Sequence, residues 1–446
     1  MTAVAEYLPT IAPSPAAPDV QVTERWSPLA RAAFRFSFLY FGLYVLLTQM
    51  FSGMLLVPKL PGFVLGEKRP FKDLVMGVGH NVLHVQPILA PTGSGDTMYD
   101  WTLVVTLFLI AATGTLVWTF AGRAATSHPR LFKWFRLFIR FALGTTMLSY
   151  GFAKVFPLQM PTIFLSRLLE PYGNFSPMGV IWYSIGAAPG YERFIGFAEV
   201  LGGTLLFIPA TALVGALVTF GVTTGVFVVN MTYDVPVKQF AFHLVLMSIF
   251  LLAPDIRRLL DALVLNRPVS PKLRVAYGST SRSNRAWAFA QVLFALWALG
   301  IHTYQGAQGW RTYGGGAPKS PLYGIWDIDS MSINGELRPP LLTDSARYSH
   351  AVFQAPTGVT FQRMDQTFLR YGATIDTVAH TISLKKGSDT TWKPVLGYTR
   401  PTPTQLALEG DVDGKRIKML MTLHDLQKFL LISRGFHWVQ EQPVNR

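Results

Sequence analysis

The chain has 446 residues, of which 50% are hydrophobic and 14% charged, a formal net charge of +14, and no cysteine. So few charges exclude an ordinary soluble protein. The lack of thiols excludes disulfides, thiol relays, cysteine-attached haem and iron–sulfur clusters held by this chain alone, so a redox role needs a bound organic cofactor or a partner. The basic residues cluster beside hydrophobic stretches, a pattern of topology determination, and no nucleic-acid partner is expected.

Residues 1–24 are rich in Ala and Pro without periodicity and predict a disordered tail; they lack the basic start and apolar h-region of a signal peptide. A first span, Phe36–Val57, follows Arg25, Arg31 and Arg35 and reads as an uncleaved signal-anchor. In the connection 58–98, the spacing of Leu74, Val75, Val78, Val82 and Leu83 predicts an interfacial helix over Phe71–Val85. His80 and His84 would sit one turn apart there, a pairing that can present two imidazoles to a metal. HNVLH lacks the Glu of H-E-x-x-H and no third ligand is evident, so these stay weak candidates and no metal is expected. The run Thr92–Asp96 is turn chemistry before a second span, Trp101–Phe120, and a basic loop with Arg123, Arg130, Lys133 and Arg136 follows.

Between about 137 and 253 come four apolar stretches, each long enough to cross a hydrocarbon core of about 30 Å. Each carries a polar residue that a lipid-facing helix would not keep without cause: Lys154, Glu199, Asn230 and His243. The loop 157–192, with Pro157, Pro161, Pro171, Pro177 and Pro189 beside Trp182 and Tyr183, suits an ordered interfacial or re-entrant segment. A basic segment follows Pro254 (Arg257, Arg258, Arg267, Lys272, Arg274, Arg282 and Arg285), then a seventh span, Trp287–Tyr304. The Lys and Arg bias puts the N-terminus inside and residues 305–446 outside, which in the inner (cytoplasmic) membrane of a bacterium means the periplasm.

The remainder changes character. After a Gly-rich linker, 305–316, residues 317–446 show short β-type runs (WDIDSMSI, AVFQA, VTFQRM, TISLKK, RIKMLMTL). Turn signals separate them at Asn334-Gly335, Pro356-Thr357-Gly358, Lys386-Gly387-Ser388 and Asp413-Gly414. About eight antiparallel strands are predicted, and a closed barrel removes their edges. Asp411-Val412-Asp413-Gly414 imitates an EF-hand start but sits between β runs, so it reads as a hairpin turn. Gly324-Ile325-Trp326 and Arg434 resemble the G-x-W opening and late arginine of lipocalin-like barrels, where the arginine packs over the tryptophan. The aromatic ending RGFHWVQEQPVNR predicts a docked, ordered terminus.

The stretch 137–262 carries Tyr150-Gly151-Phe152-Ala153-Lys154, then Gly196-Phe197-Ala198-Glu199 with Gly202-Gly203, then Asn230, Asp234, Lys238, His243 and a closing LLAPD. In order and spacing it resembles the DoxX-like membrane proteins. That resemblance implies a four-helix membrane fold and a family linked by name to a subunit of an archaeal thiosulfate:quinone oxidoreductase and to bacterial redox-associated membrane complexes. The extra N-terminal spans, long outer loop and β-rich appendage depart from the minimal pattern.

The expected fold is thus an α-helical membrane bundle of about seven spans, 25–304, with a DoxX-like four-helix core and a C-terminal antiparallel β-barrel-like domain. With the N-terminus inside, Tyr150, Lys154, Glu199, Asn230, Lys238 and His243 all fall in the outer half of the bilayer. Two readings stand beside each other. Lys154 and Glu199 pair and pin the bundle, with Gly202 and Gly203 allowing close approach. Alternatively these residues form a headgroup pocket for a quinone or similar lipid-soluble molecule, Lys154 and His243 binding carbonyls, Glu199 as proton partner and Tyr150 or Trp182 stacking. The leading functional expectation is a membrane component of a redox- or quinone-linked system with a periplasmic or membrane redox partner. A transporter or small-molecule carrier, its β domain capturing ligand, and a scaffold recruiting a periplasmic partner are the alternatives.

Overall fold

The computed structural model describes residues 25–58, 62–160, 162–270, 275–389 and 391–445. The expected tail 1–24, with Lys59, Pro161, Lys272 and Arg274, lies outside the described residues.

The first helix, α1 (Pro28–Leu47), opens on Ser27, whose side chain accepts the Ala30 N–H, with Pro at the first helical position. Thr48, in an extended conformation, separates it from α2 (Gln49–Leu55), so the first span is two helices rather than one. The helix expected from Phe71 is α3 (Phe71–Asn81), and α4 (Met98–Ala121) starts from a reciprocal Thr97–Asp100 capping box. Then come α5 (Pro129–Val155), the short α6 (Leu165–Leu168) and α7 (Pro177–Gly186), then α8 (Pro189–Phe207), α9 (Ala212–Thr232), α10 (Lys238–Leu252) and α11 (Ile256–Leu263). Last is α12 (Ser281–Thr312). It runs through 305–312, expected as linker. Small residues permit this: a Cβ on Gly306 would lie 2.3 Å from Phe156 and one on Gly309 2.9 Å from Leu158, so α12 packs tightly where a linker was read.

Among the described residues five segments are long and apolar enough to cross a membrane: α1, α4, α9, Lys238–Leu263 and α12. Between them, α5 and α8 run side by side and antiparallel. A Cβ on Gly144 would lie 3.1 Å from the Gly203 carbonyl oxygen, and one on Gly151 2.9 Å from that of Gly196. Both glycine pairs are spaced by seven residues, two turns on each helix, so the backbones meet along one seam.

The two ends of the bundle differ. At one end Arg31 donates to the Ala125 carbonyl (2.9 Å), Arg35 to that of Gly122 (3.2 Å) and Lys133 to that of Ala276 (2.8 Å), while Arg136 pairs with Asp255 (3.7 Å). The starts of α1, α5 and α12 therefore share a basic end. The opposite end carries α6, α7 and the barrel.

That barrel has eight strands in closed antiparallel order: β1 (Gly324–Ile333), then, beyond the two-residue β2 (Glu336–Leu337) folded onto β1, β3 (Tyr348–Phe353), β4 (Gly358–Arg363), β5 (Phe368–Asp376), β6 (Thr381–Lys385), β7 (Val395–Thr399), β8 (Gln405–Val412) and β9 (Lys415–Leu423), which pairs back to β1. Asn334-Gly335 and Asp413-Gly414 both take positive φ at their hairpins, as the sequence predicts. A bulge between Ile328 and Ser330 shifts β1 by one residue, so Trp326, Ile328, Met331 and Ile333 all face inward despite unequal spacing. The interior is filled, leaving a cavity of about 20 Å³, too small for a bound ligand. Trp326 is buried and donates Nε1–H to the Leu322 carbonyl (2.9 Å). The cation over its ring is Arg400, at 5.7 Å, and not the expected Arg434, which donates to Gln440 (2.9 Å). After α13 (Leu430–Ser433) residues 434–445 form no regular element, and Phe436 and Trp438 are 77% and 91% exposed. The docked terminus is not observed: aromatic content alone supplies no surface to dock against.

Candidate functional site

The residues singled out on the four central helices lie in two linked groups. In the first, Lys154 near the end of α5 meets Glu199 on α8, its Nζ 2.8 Å from both carboxylate oxygens, with both side chains buried. Tyr150 shares the Lys154 face, its ring 5.8 Å from Nζ, and its hydroxyl accepts from Gln49 Nε2 (2.9 Å). The Tyr150 ring also lies 6.0 Å from Phe240 on α10, which leads to the second group.

There His243 is stacked on Tyr44 of α1, with centroids 3.9 Å apart and planes 6° from parallel. Its Nδ1 is 2.6 Å from the Gln239 carbonyl, which only accepts, so Nδ1 carries the proton. Nε2 therefore accepts, from Tyr40 O–H at 2.7 Å. Both ring nitrogens are engaged, and neither is left for a ligand carbonyl. Asn230 donates to the Val237 carbonyl (3.3 Å), and Lys238 pairs with Asp234 (2.7 Å) and reaches Asp96 (3.8 Å). Asp96 also accepts the Lys238 and Gln239 backbone N–H groups (2.7 and 3.0 Å), capping α10 from another part of the chain.

Tyr40, Tyr44 and Asp96 were not singled out from sequence. The two tyrosines lie one turn apart on the first span, a spacing visible in the chain, whereas Asp96 reads only as a turn residue. Glu192, fully buried in the first turn of α8, was also passed over, although it lies seven residues before Glu199 and hence on its face. The helical spacing read for His80 and His84 is not found. The helix α3 ends at Asn81, and His84 lies beyond it with φ 55°, so the two imidazoles do not share a helical face. Among the described residues no group of three or more His, Cys, Asp or Glu is placed to hold a metal.

A second candidate surface lies where the barrel meets α6 and α7. The Leu165 N–H donates to Gln354 Oε1 (2.8 Å), and Leu165 is buried with Ile325 and Val352 of the barrel wall. Beside this contact is a cleft of about 710 Å³, lined by Arg167, Lys319 and Arg370, by Tyr183, Tyr313, Tyr323 and Tyr371, and by no carboxylate. A neighbouring cavity of about 560 Å³ shares Ile163, Arg167 and Tyr183 with it. Arg167 pairs with Glu170 and lies 5.3 Å from the Tyr183 ring, and Lys319 lies 4.4 Å from that of Tyr323. Among the described residues Lys319 and Arg370 have no ion-pair partner. On the barrel wall nearby, Asp327 bridges His350 (3.2 Å) and His424 (2.9 Å). Burial holds the His350 imidazole below its ordinary pKa of 6.5, with the Asp327 charge opposing that shift.

A protein from Bacillus subtilis (strain 168), the uncharacterized protein YwoB, is 31% identical over 133 residues, spanning 28% of this chain and 76% of the relative. The chain belongs to the YwoB family. The name of YwoB assigns it no activity, and the match leaves most of the present chain without a counterpart. No family model and no solved structure matches the chain.

Proposed function

We propose that the protein is a membrane-embedded binding component whose working surface is the cleft between the barrel and α6–α7. In this reading all seven long helices cross the bilayer, with α5, α8, α9 and α10 forming a DoxX-like core. The basic end faces the cytoplasm of a bacterial cell, following the positive-inside rule, and the barrel stands in the periplasm. The observation that carries the reading is the lining of the cleft: three cations and four tyrosines with no carboxylate, beside a barrel whose own interior is filled. Such a lining at the membrane surface suits an anionic amphiphile, its headgroup against Lys319 and Arg370 and its chain along Ile163, Phe164 and Val352.

This favours a carrier or anchoring role over chemistry at the buried polar cluster, whose expected carbonyl-binding groups are already engaged, Lys154 by Glu199 and His243 by Tyr40 and the Gln239 carbonyl. A redox- or quinone-linked role then rests on a partner that supplies the electron chemistry while this chain binds and positions. Native mass spectrometry of the full chain in detergent, titrated with phosphatidylglycerol or phosphatidylcholine, tests the proposal. Retention of phosphatidylglycerol, reduced at least tenfold in a Lys319→Glu/Arg370→Glu variant, is expected. Equal retention of both lipids, or none lost in the variant, would remove the cleft from the function.

A further inference from the structure

The buried pair between α5 and α8 has a third member that unbalances it. A Cβ on Gly196 would lie 2.9 Å from the Lys154 Cβ, so Lys154 emerges against α8 at that level. Glu192 is four residues before Gly196 and Glu199 three after it, which places both carboxyls on one face, about 10.5 Å apart along the axis with the root of Lys154 between. Lys154 directs its ammonium to both oxygens of Glu199. Glu192 is fully buried within electrostatic range of Lys154; its Oε1 accepts the Met160 N–H (3.0 Å), and its Oε2 has no hydrogen-bond partner among the described residues. The other charged or titratable groups nearby are Arg193, which is exposed and solvated, and Tyr150, a phenol beside Lys154.

Two carboxyls and one ammonium leave one negative charge unmatched in an interior that penalises unpaired ions heavily. We propose that the Glu192–Lys154–Glu199 triad is a one-proton binding site, with the proton held on Glu192 Oε2. Oε1 already accepts a backbone N–H, so Oε2 is the oxygen left to carry it. The first turn of α8 lies at the barrel-bearing end of the bundle, which gives the proton a short path to the solution on that side.

Infrared spectroscopy on the full chain in lipid nanodiscs at neutral pH tests this by counting protonated carboxyls. The wild type is expected to show one buried carboxylic acid C=O band that shifts on deuteration. Glu192→Gln removes the titrating group, and Glu199→Gln leaves Glu192 to ionise against Lys154, so the band is lost in both. Lys154→Met leaves two carboxyls without a cation and doubles it. A wild type without the band, as when a metal cation balances the charge, overturns the proposal. So does a band that survives in Glu192→Gln. A purely structural Glu192 would leave the Glu199→Gln spectrum unchanged, and that outcome also overturns it. Melting temperatures identify any variant that fails to fold, and the near-isosteric Glu→Gln changes decide the case alone.

Discussion

The barrel and the helical bundle fill their interiors by different rules. Inside the barrel, Trp326, Ile328, Phe353, Phe361, Leu406 and Met421 make an apolar core, and the buried cation Arg347 is spent on the carbonyls of Arg338, Tyr348 and Ile328. Inside the bundle, Lys154, Glu192, Glu199, Asn230 and His243 are all buried. Strands satisfy their backbones only by pairing with neighbours, so hydrogen bonding and closure already hold the barrel together. A helix satisfies its own backbone, and nothing apolar distinguishes a helix neighbour from lipid. Contacts between helices in the bundle therefore rest on close glycine packing and on polar side chains that find one another.

The sharpest way to break this contrast is at the glycine seam. A side chain at Gly151 meets backbone, with the Gly196 oxygen and the Val200 nitrogen both 2.9 Å from an ideal Cβ, whereas nothing lies within 4 Å of one at Gly221. Backbone cannot rotate away as a side chain can, so Gly151→Leu is expected to cost at least the ~1–3 kcal/mol of ordinary overpacking. Gly221→Ala gains up to about 1 kcal/mol of helix propensity. Size-exclusion chromatography of detergent extracts should show the first variant lost or aggregated and the second unchanged. Equal behaviour of the two would mean that the α5–α8 seam does not hold the bundle.

Next in size is the ion pair. Removing Lys154 leaves the buried Glu199 carboxyl without its cation and forces it to take up a proton, so Lys154→Ala is expected to cost up to about 3–5 kcal/mol, while Lys154→Met combined with Glu199→Leu recovers most of it. Thermal melting of the bundle should resolve the two variants, with melting of the barrel unmoved in both. A double variant as unstable as the single would assign Lys154 a role other than pairing.

The same contrast explains what could be read from the chain. The turn signals, the strand runs and the barrel were legible because period-two alternation and Asn-Gly or Asp-Gly turns are local properties. Lys154 and Glu199 were legible too, because a charge inside an apolar run stands out wherever its partner lies. The partners of His243 were not: Tyr40 and Tyr44 lie some two hundred residues away, on a helix whose register against α10 only the fold supplies. Arg400 took the place read for Arg434 for the same reason, since which strand end passes over Trp326 depends on barrel closure. The end of α3 before His84 and the continuation of α12 through 305–312 were lost at element boundaries, where local pattern is weakest.

The smallest effect concerns a residue that reads as loop and acts as a cap. Asp96 accepts two N–H groups at the start of α10, and so fixes the turn from which Gln239 and His243 project. Asp96→Ala is expected to cost roughly 1 kcal/mol, the usual worth of a helix cap. The loss should be local, appearing as faster amide exchange at Lys238 and Gln239 with the barrel amides unaffected. Asp96→Asn keeps an acceptor oxygen but loses the charge that pairs with Lys238 and faces the positive end of the helix dipole. It should therefore fall between the wild type and Asp96→Ala. An Asn variant as protected as the wild type would make the cap a matter of hydrogen bonding alone. One as labile as Ala would make the charge decisive at this end of the bundle.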